Sequence, residues 1–318
     1  MLGLCALLVA AMMPLASFAQ YPARTVKIVV GYGPGGTMDT TGRLIAQGLQ
    51  DRLGAPVIVE NRPGASATIA GNYVAKSPAD GYTLFVTSVP PHATLPVLYK
   101  SLPYDPERDL QPVASILATQ YVLVVHPSVP AATLPEFLEI LRRESGKFEF
   151  ASPGVGTASH LLSEIVGRTA GAQILHVPYK GSAAHLPDLF SGRVRMTFEN
   201  LAVMVPHIKK GTVRALIVSG PSRSGLLPDV PTAREAGVPA LEQVTAFGLF
   251  APKGTPQAVV DRLNAEVNKI VETDAFAQRI AVFGALPLGG SRSRLAEFIE
   301  EEKRKWTPVI QELDLKME

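Results

Sequence analysis

Two glycine- and proline-rich loops carry the residue types from which an anion site is built. One reads Gly31-Tyr32-Gly33-Pro34-Gly35-Gly36-Thr37 and the other Ser152-Pro153-Gly154-Val155-Gly156-Thr157. Glycine lets backbone N–H groups approach a ligand closely, and a helix N-terminus favours negative charge. Each loop follows a short apolar run and leads into a helix-patterned one. Two half-sites of one design, far apart in the chain, imply a single anion gripped between two lobes.

Other chemistries fit less well. Gly31 to Gly36 matches G-x-G-x-x-G between a strand and a helix, and Glu60 ends the next strand. An exported dinucleotide-binding α/β enzyme is therefore the alternative reading. Against it, Asp39 places a like charge in the first helical turn, where a pyrophosphate would sit, and Pro34 removes a donor from the loop. The nucleophile-elbow pattern G-x-S-x-G and the zinc pattern H-E-x-x-H are absent. His160 and Glu164 are spaced to share a helix face, but two ligands do not make a metal site. Lys180 in Pro178-Tyr179-Lys180-Gly181 becomes a nucleophile only if desolvated; an anion-contacting surface lysine is the plainer reading. No catalytic residue, metal or cofactor is expected.

Composition narrows the class further. The 318 residues hold 30 basic and 28 acidic side chains, a formal charge of +2, which argues against a nucleic-acid partner. Leu2 to Ala16 is almost wholly apolar, and Ser17-Phe18-Ala19 is a small-x-small cleavage site, so residues 1–19 read as a signal peptide and Gln20 as the mature start. The single cysteine, Cys5, lies inside that leader. The exported chain thus rests on its core without disulfides.

The two loops need elements to hold them. Strands are expected at Val26–Val30, Val57–Val59 and Tyr82–Thr87, alternating with helices at Asp39–Leu53 and Ile69–Lys76. A second unit opens at Val122–Val125 and runs through helix Leu134–Arg143, strand Phe148–Ala151, helix Ser159–Thr169 and strand Ile174–Val177. Strands Val194–Phe198, Val213–Val218 and Thr245–Ala251 follow. A helix capped by Thr255, with Pro256 first inside, and a last helix from Ser293, burying Trp306, complete the chain. Such alternation implies two α/β lobes, each a mostly parallel sheet flanked by helices, with ligands off the carboxyl ends of the strands. Crossings at Gln120–Leu123 and Gln243–Phe247 divide the chain into residues 20–121 plus 246–318 and residues 122–245.

Further segments carry a family likeness: Val59-Glu60-Asn61-Arg62-Pro63-Gly64-Ala65, Asp80-Gly81-Tyr82-Thr83-Leu84, Leu102-Pro103-Tyr104-Asp105-Pro106, His176-Val177-Pro178-Tyr179-Lys180-Gly181 and Leu227-Pro228-Asp229-Val230-Pro231-Thr232. In this order, with the first loop and Lys305-Trp306, the chain resembles the Bug-type substrate-binding receptors of tripartite tricarboxylate transporters over nearly its whole mature length. The resemblance implies a two-lobed periplasmic binding protein of type II, a monomer that closes on a small carboxylate for uptake by membrane subunits or for sensing. It implies first-lobe contacts from Tyr32, Pro34, Gly35, Gly36 and Asp39, and second-lobe contacts from Ser152, Gly154, Gly156, Thr157 and His160. Thr87 and Ser88 would line the cleft wall, and Glu199 would meet a polar end of the ligand. The chain departs from the family pattern at Gly31 and Gly33, where Pro and Ala are usual, and at Ser66 and Ala67, where a glycine pair is usual.

Overall fold

The computed structural model describes residues 21–281, 284–312 and 314–316, so the expected signal peptide lies outside the described residues. The β-branched run Val26–Val30 forms β1, helix α1 spans Thr37–Leu53, and β2 spans Val57–Asn61. Gly54, at φ 67°, ends α1 in the left-handed conformation. Helix α2 is Thr68–Ala75, β3 Thr83–Ser88, α3 Val89–Leu98 and α4 Pro106–Asp109. Next come β4 (Leu110–Val125), α5 (Leu134–Arg143), β5 (Phe148–Ser152), α6 (Ala158–Ala170), β6 (Ile174–Pro178) and α7 (Ser182–Phe190). The chain continues through β7 (Met196–Asn200), α8 (Leu201–Lys209), β8 (Arg214–Val218), β9 (Val244–Pro252) and α9 (Gln257–Val271). Helix α10 (Asp274–Ala281), β10 (Leu286–Pro287) and α11 (Arg292–Glu312) close it.

The strands lie in the order β2-β1-β3-β9-β4-β7-β5-β6, with β8 and β10 on β4. Those that alternate with helices pair in parallel: β1 with β2 and β3, and β5 with β6 and β7. Strands β4 and β9, which run between the two halves, pair antiparallel to their neighbours.

Strand β4 belongs to both halves. Leu110 to Gln120 pairs with β9, and Tyr121 to Val125 lies between β7 and β8. Val122–Val125, expected to open a second unit, is therefore the end of a strand begun in the first. Gln111, Pro112 and Ser115 interrupt the apolar run in its first half. Register shifts after Pro112 and Ser115 absorb the interruption, as bulges do where proline lacks a ladder donor. The pairing of Gln120 with Val244 is the last on the first side; beyond it Gln243 donates to the Ser219 carbonyl at 2.7 Å.

Among the expected boundaries that move, two do so for a visible local reason. Strand β7 begins at Met196 rather than Val194, because the Val194 amide is turned back onto the Asp188 carbonyl. Helix α9 begins at Gln257, with Pro256 in the cap position; the Thr255 hydroxyl donates to the Pro252 carbonyl at 2.8 Å instead of capping.

Core alternates across each sheet. In the first half Ile28, Val30, Leu84 and Val86 pack against Ile45, Leu49 and the α9 stripe, while Val29 and Phe85 face α2 and Leu295. In the second, Leu123, Phe150 and Phe198 face α5 and α6, and Val122, Val124 and Ala151 face α7 and α8. Trp306 and Ile310 of α11 pack into the second-half cluster. Trp306 is fully buried, as its apolar stripe predicts.

Candidate functional site

Both glycine loops face one cavity, open to solvent at its mouth. From the first loop and α1 come Tyr32, Gly33, Gly36, Thr37 and Met38; from the second loop and α6 come Pro153, Thr157, Ala158 and Ser159. Lys180, Gly181, Ser182 and Ala183 supply a third wall, and Ser88, Tyr121, Asn200 and Phe247 complete the lining.

The lining has a single design. Thr37 and Met38 are the first two residues of α1, Ala158 and Ser159 of α6, and Ser182 and Ala183 of α7. The backbone N–H groups of a first helical turn have no partner within the helix. Among the described residues, none of these six N–H groups finds a protein acceptor. Ser88 and Asn200 are the residues just before α3 and α8. Helix starts from both halves thus aim donors and positive dipole ends at one space. Lys180 is exposed and brings the one formal charge in the lining.

The expected site residues divide between lining and support. Tyr32, Gly36, Ser88 and Thr157 line the cavity. Pro34 and Gly35 are exposed on the loop beside it. Asp39 is buried and turned into its own loop, accepting from Gly35 N at 3.0 Å, Asn61 Nδ2 at 2.9 Å and Arg43 Nε at 3.0 Å. Burial alone would raise its pKa, but these hydrogen bonds outweigh it and hold the carboxyl below the ordinary range. Asp39 therefore shapes the anion loop without presenting its charge to the cavity. Thr87 is buried behind Ser88.

The second loop is braced from beneath. Ser152 Oγ meets His176 Nε2 at 2.6 Å, and His176 stacks on His160 with ring centroids 4.1 Å apart. Burial first, then the neighbouring His160, pushes the His176 pKa down to about 3. His160 Nδ1 accepts from Gly156 N at 3.2 Å, which fixes the ring proton on Nε2. Gly154 N donates to Ser152 Oγ, and Thr157 Oγ1 caps α6 by accepting from His160 N. The Gly154 and Gly156 amides are thus spent inside the loop, and the open donors lie one step on, at Ala158 and Ser159.

Glu199 does not line the cavity. It is fully buried, with Oε2 3.2 Å from His185 Nε2 and Oε1 accepting from Asn200 N at 2.7 Å. The next residue, Asn200, faces the cavity, and its Oδ1 is buried without a hydrogen-bond partner among the described residues. The Glu199 charge is felt at the cavity nonetheless. Burial raises the pKa values of Tyr32 and Tyr121, and Glu199 pushes both further up, so both phenols stay neutral donors.

Sequence reasoning passed over the wall at Gly181–Ala183. Its signal was available: Ile174–Pro178, Lys180-Gly181 and α7 are a third strand–glycine–helix unit. Tyr121, Asn200 and Phe247 left no local signal, because strand crossings bring them to the cavity.

Comparison with known proteins gives the family. Residues 41–315 match the family model described as the tripartite tricarboxylate transporter family receptor. Protein BugT of Bordetella pertussis (strain Tohama I) is 36% identical over 298 residues, covering 93% of this chain and 91% of BugT. The solved structure of R. palustris Rpa4515 with adipate superposes with a TM-score of 0.87 at 36% identity, covering 92% of this chain and 97% of that one. MatC (Rpa3494) from Rhodopseudomonas palustris with bound malate also gives 0.87, at 32% identity over 91% of this chain and all of that one, 100%. With a family model spanning most of its length and relatives alike from end to end, this chain belongs to the tripartite tricarboxylate transporter receptor family.

Proposed function

We propose that this chain is a periplasmic solute receptor that binds a small carboxylate between its two lobes and serves tripartite tricarboxylate-type uptake or sensing. The single observation that carries this reading is the meeting of the α1, α6 and α7 starts in one cavity, each with unpartnered N–H groups. A carboxylate accepts several such bonds at once, and charge-assisted bonds of this kind contribute about 1.5–3 kcal/mol each. The family and the adipate and malate bound by its relatives support the ligand class. Asn200 Oδ1 and Thr37 Oγ1, both buried and unpartnered, suit a ligand that adds a hydroxyl or amine to its carboxylate.

The lobes in this reading are residues 20–121 plus 246–318 and residues 122–245, with the tail of α11 packed across both. Tyr32, Gly36, Ser88 and Thr157 touch the ligand; Asp39, Ser152, Gly154, Gly156 and His160 hold the two loops in shape. The protein acts as a monomer beside membrane subunits and catalyses nothing. No helix among the described residues is long and apolar enough to cross a membrane. Calorimetry with adipate, malate and other small carboxylates, beside nicotinamide cofactors, tests this reading. Saturable binding of a carboxylate supports it. Binding of a dinucleotide with no carboxylate bound would favour the alternative, an exported dinucleotide enzyme.

A further inference from the structure

A run of left-handed, non-glycine backbone stands at the cleft, outside the cavity lining. Ala65, Ser66 and Ala67 have φ of 45°, 52° and 72° in succession. Residues with a Cβ rarely enter this left-handed region, and a run of them persists only where the surroundings over-determine it. Two glycines make the room. A Cβ on Gly31 would sit 2.2 Å from that of Ala67, and one on Gly154 would sit 2.5 Å from Ser66 Oγ.

The run turns Ser66 toward the other lobe. Its hydroxyl donates to the Val155 carbonyl at 2.5 Å. One residue on, the Gly156 carbonyl accepts from Thr94 Oγ1 of α3 at 2.8 Å. Two hydroxyls of the first lobe therefore hold adjacent carbonyls of the second-lobe loop. The residues that follow, Thr157, Ala158 and Ser159, line the cavity.

We propose that Ser66 is a positioning residue for ligand capture: from its left-handed loop it clamps the second-lobe loop across the cleft and sets where the α6 amides stand. Thr94 is the second anchor. The inference rests on the cavity being the carboxylate site. Ser66 acts through Val155 and never meets the ligand. Opening the cleft would part Ser66 from Val155, so the clamp acts on the rate at which ligand leaves.

The test is stopped-flow and calorimetric binding of adipate and malate to the wild type, Ser66→Ala and Thr94→Val. Ser66→Ala removes the hydroxyl and keeps the Cβ. It should weaken binding about three- to tenfold, the effect of one lost hydrogen bond, with the loss in koff and kon within about twofold. Thr94→Val should add a loss of the same kind, and the melting temperature of the ligand-free protein should hold. Gly31→Ala, whose Cβ would meet both the Cβ and the backbone Cα of Ala67, should reproduce the faster koff. Binding by the wild type that Ser66→Ala leaves unchanged would overturn the clamp alone. A loss confined to kon would also overturn it. No carboxylate bound by the wild type would overturn the site reading and the clamp with it.

Discussion

Asn200, rather than its neighbour Glu199, is the side chain that can read the uncharged part of a ligand. The sequence places a carboxylate at the end of a strand that points to the cleft, and the expectation that it meets ligand follows. The structure turns that carboxylate back onto the Asn200 amide, which donates to Oε1 at 2.7 Å, and leaves Oε2 3.2 Å from His185 Nε2 with no hydrogen bond between them, so the carboxylate is buried inside the lobe and not offered to the ligand. Asn200→Leu should therefore weaken malate, which carries a hydroxyl, by about tenfold relative to adipate, which does not; paired dissociation constants measure this. An unchanged ratio would place Asn200 outside recognition. A second residue-scale prediction concerns pH. His176 and His92 have pKa values pushed down to about 3 and about 4, chiefly by burial, from an ordinary 6.5. Below pH 6.5 the unfolded chain binds more protons than the folded one, so stability is full above 6.5 and falls toward pH 4. Each buried histidine contributes up to about 1.4 kcal/mol per pH unit there. Denaturant midpoints between pH 4 and 7 should fall with acid, and His92→Gln should flatten the slope.

At the scale of elements, the design is a helix start used repeatedly. Proline at the first position of a helix deletes an N–H that the helix does not use, and keeps the helix. Gly36, before Thr37, is already extended at φ −86° and ψ 173°, which a following proline requires. Thr37→Pro should thus weaken carboxylate binding about tenfold or more relative to Thr37→Ala, with melting temperatures alike; calorimetry and thermal scans on the pair check it. Equal affinities would mean that the α1 amide is not a ligand donor. Much of this level was legible in the sequence. The two glycine loops announce themselves by composition, and α5 falls on Leu134–Arg143 because its apolar stripe is clean. What was hidden depends on distant partners. Strand β4 runs unbroken from Leu110 to Val125 while changing neighbours at Gln120–Tyr121, and no local pattern shows that the strand expected at Val122 continues an earlier one. The donors inside the second loop were hidden for the same reason: His160 claims the Gly156 amide only once α6 has wound.

In the whole molecule, α11 ties the halves together. Its Trp306 lies in the second-half core, and the indole Nε1 donates to the buried Glu302, which also accepts from Gln243 Nε2 at 2.6 Å where β9 crosses. Trp306→Phe should leave Glu302 short of a donor and cost about 1–3 kcal/mol by denaturant unfolding, a loss beyond that of ring volume. Closure around an anion makes the larger claim, that both lobes bind one carboxylate through backbone amides. The most direct measurement is a titration of the 15N-labelled protein with malate or adipate, following the amide resonances of Thr37, Met38, Ala158, Ser159, Ser182 and Ala183. The account predicts that amides of all three helices move together along one saturable isotherm, on the dissociation constant found by calorimetry. Movement confined to one helix, or separate isotherms for the two lobes, would contradict it.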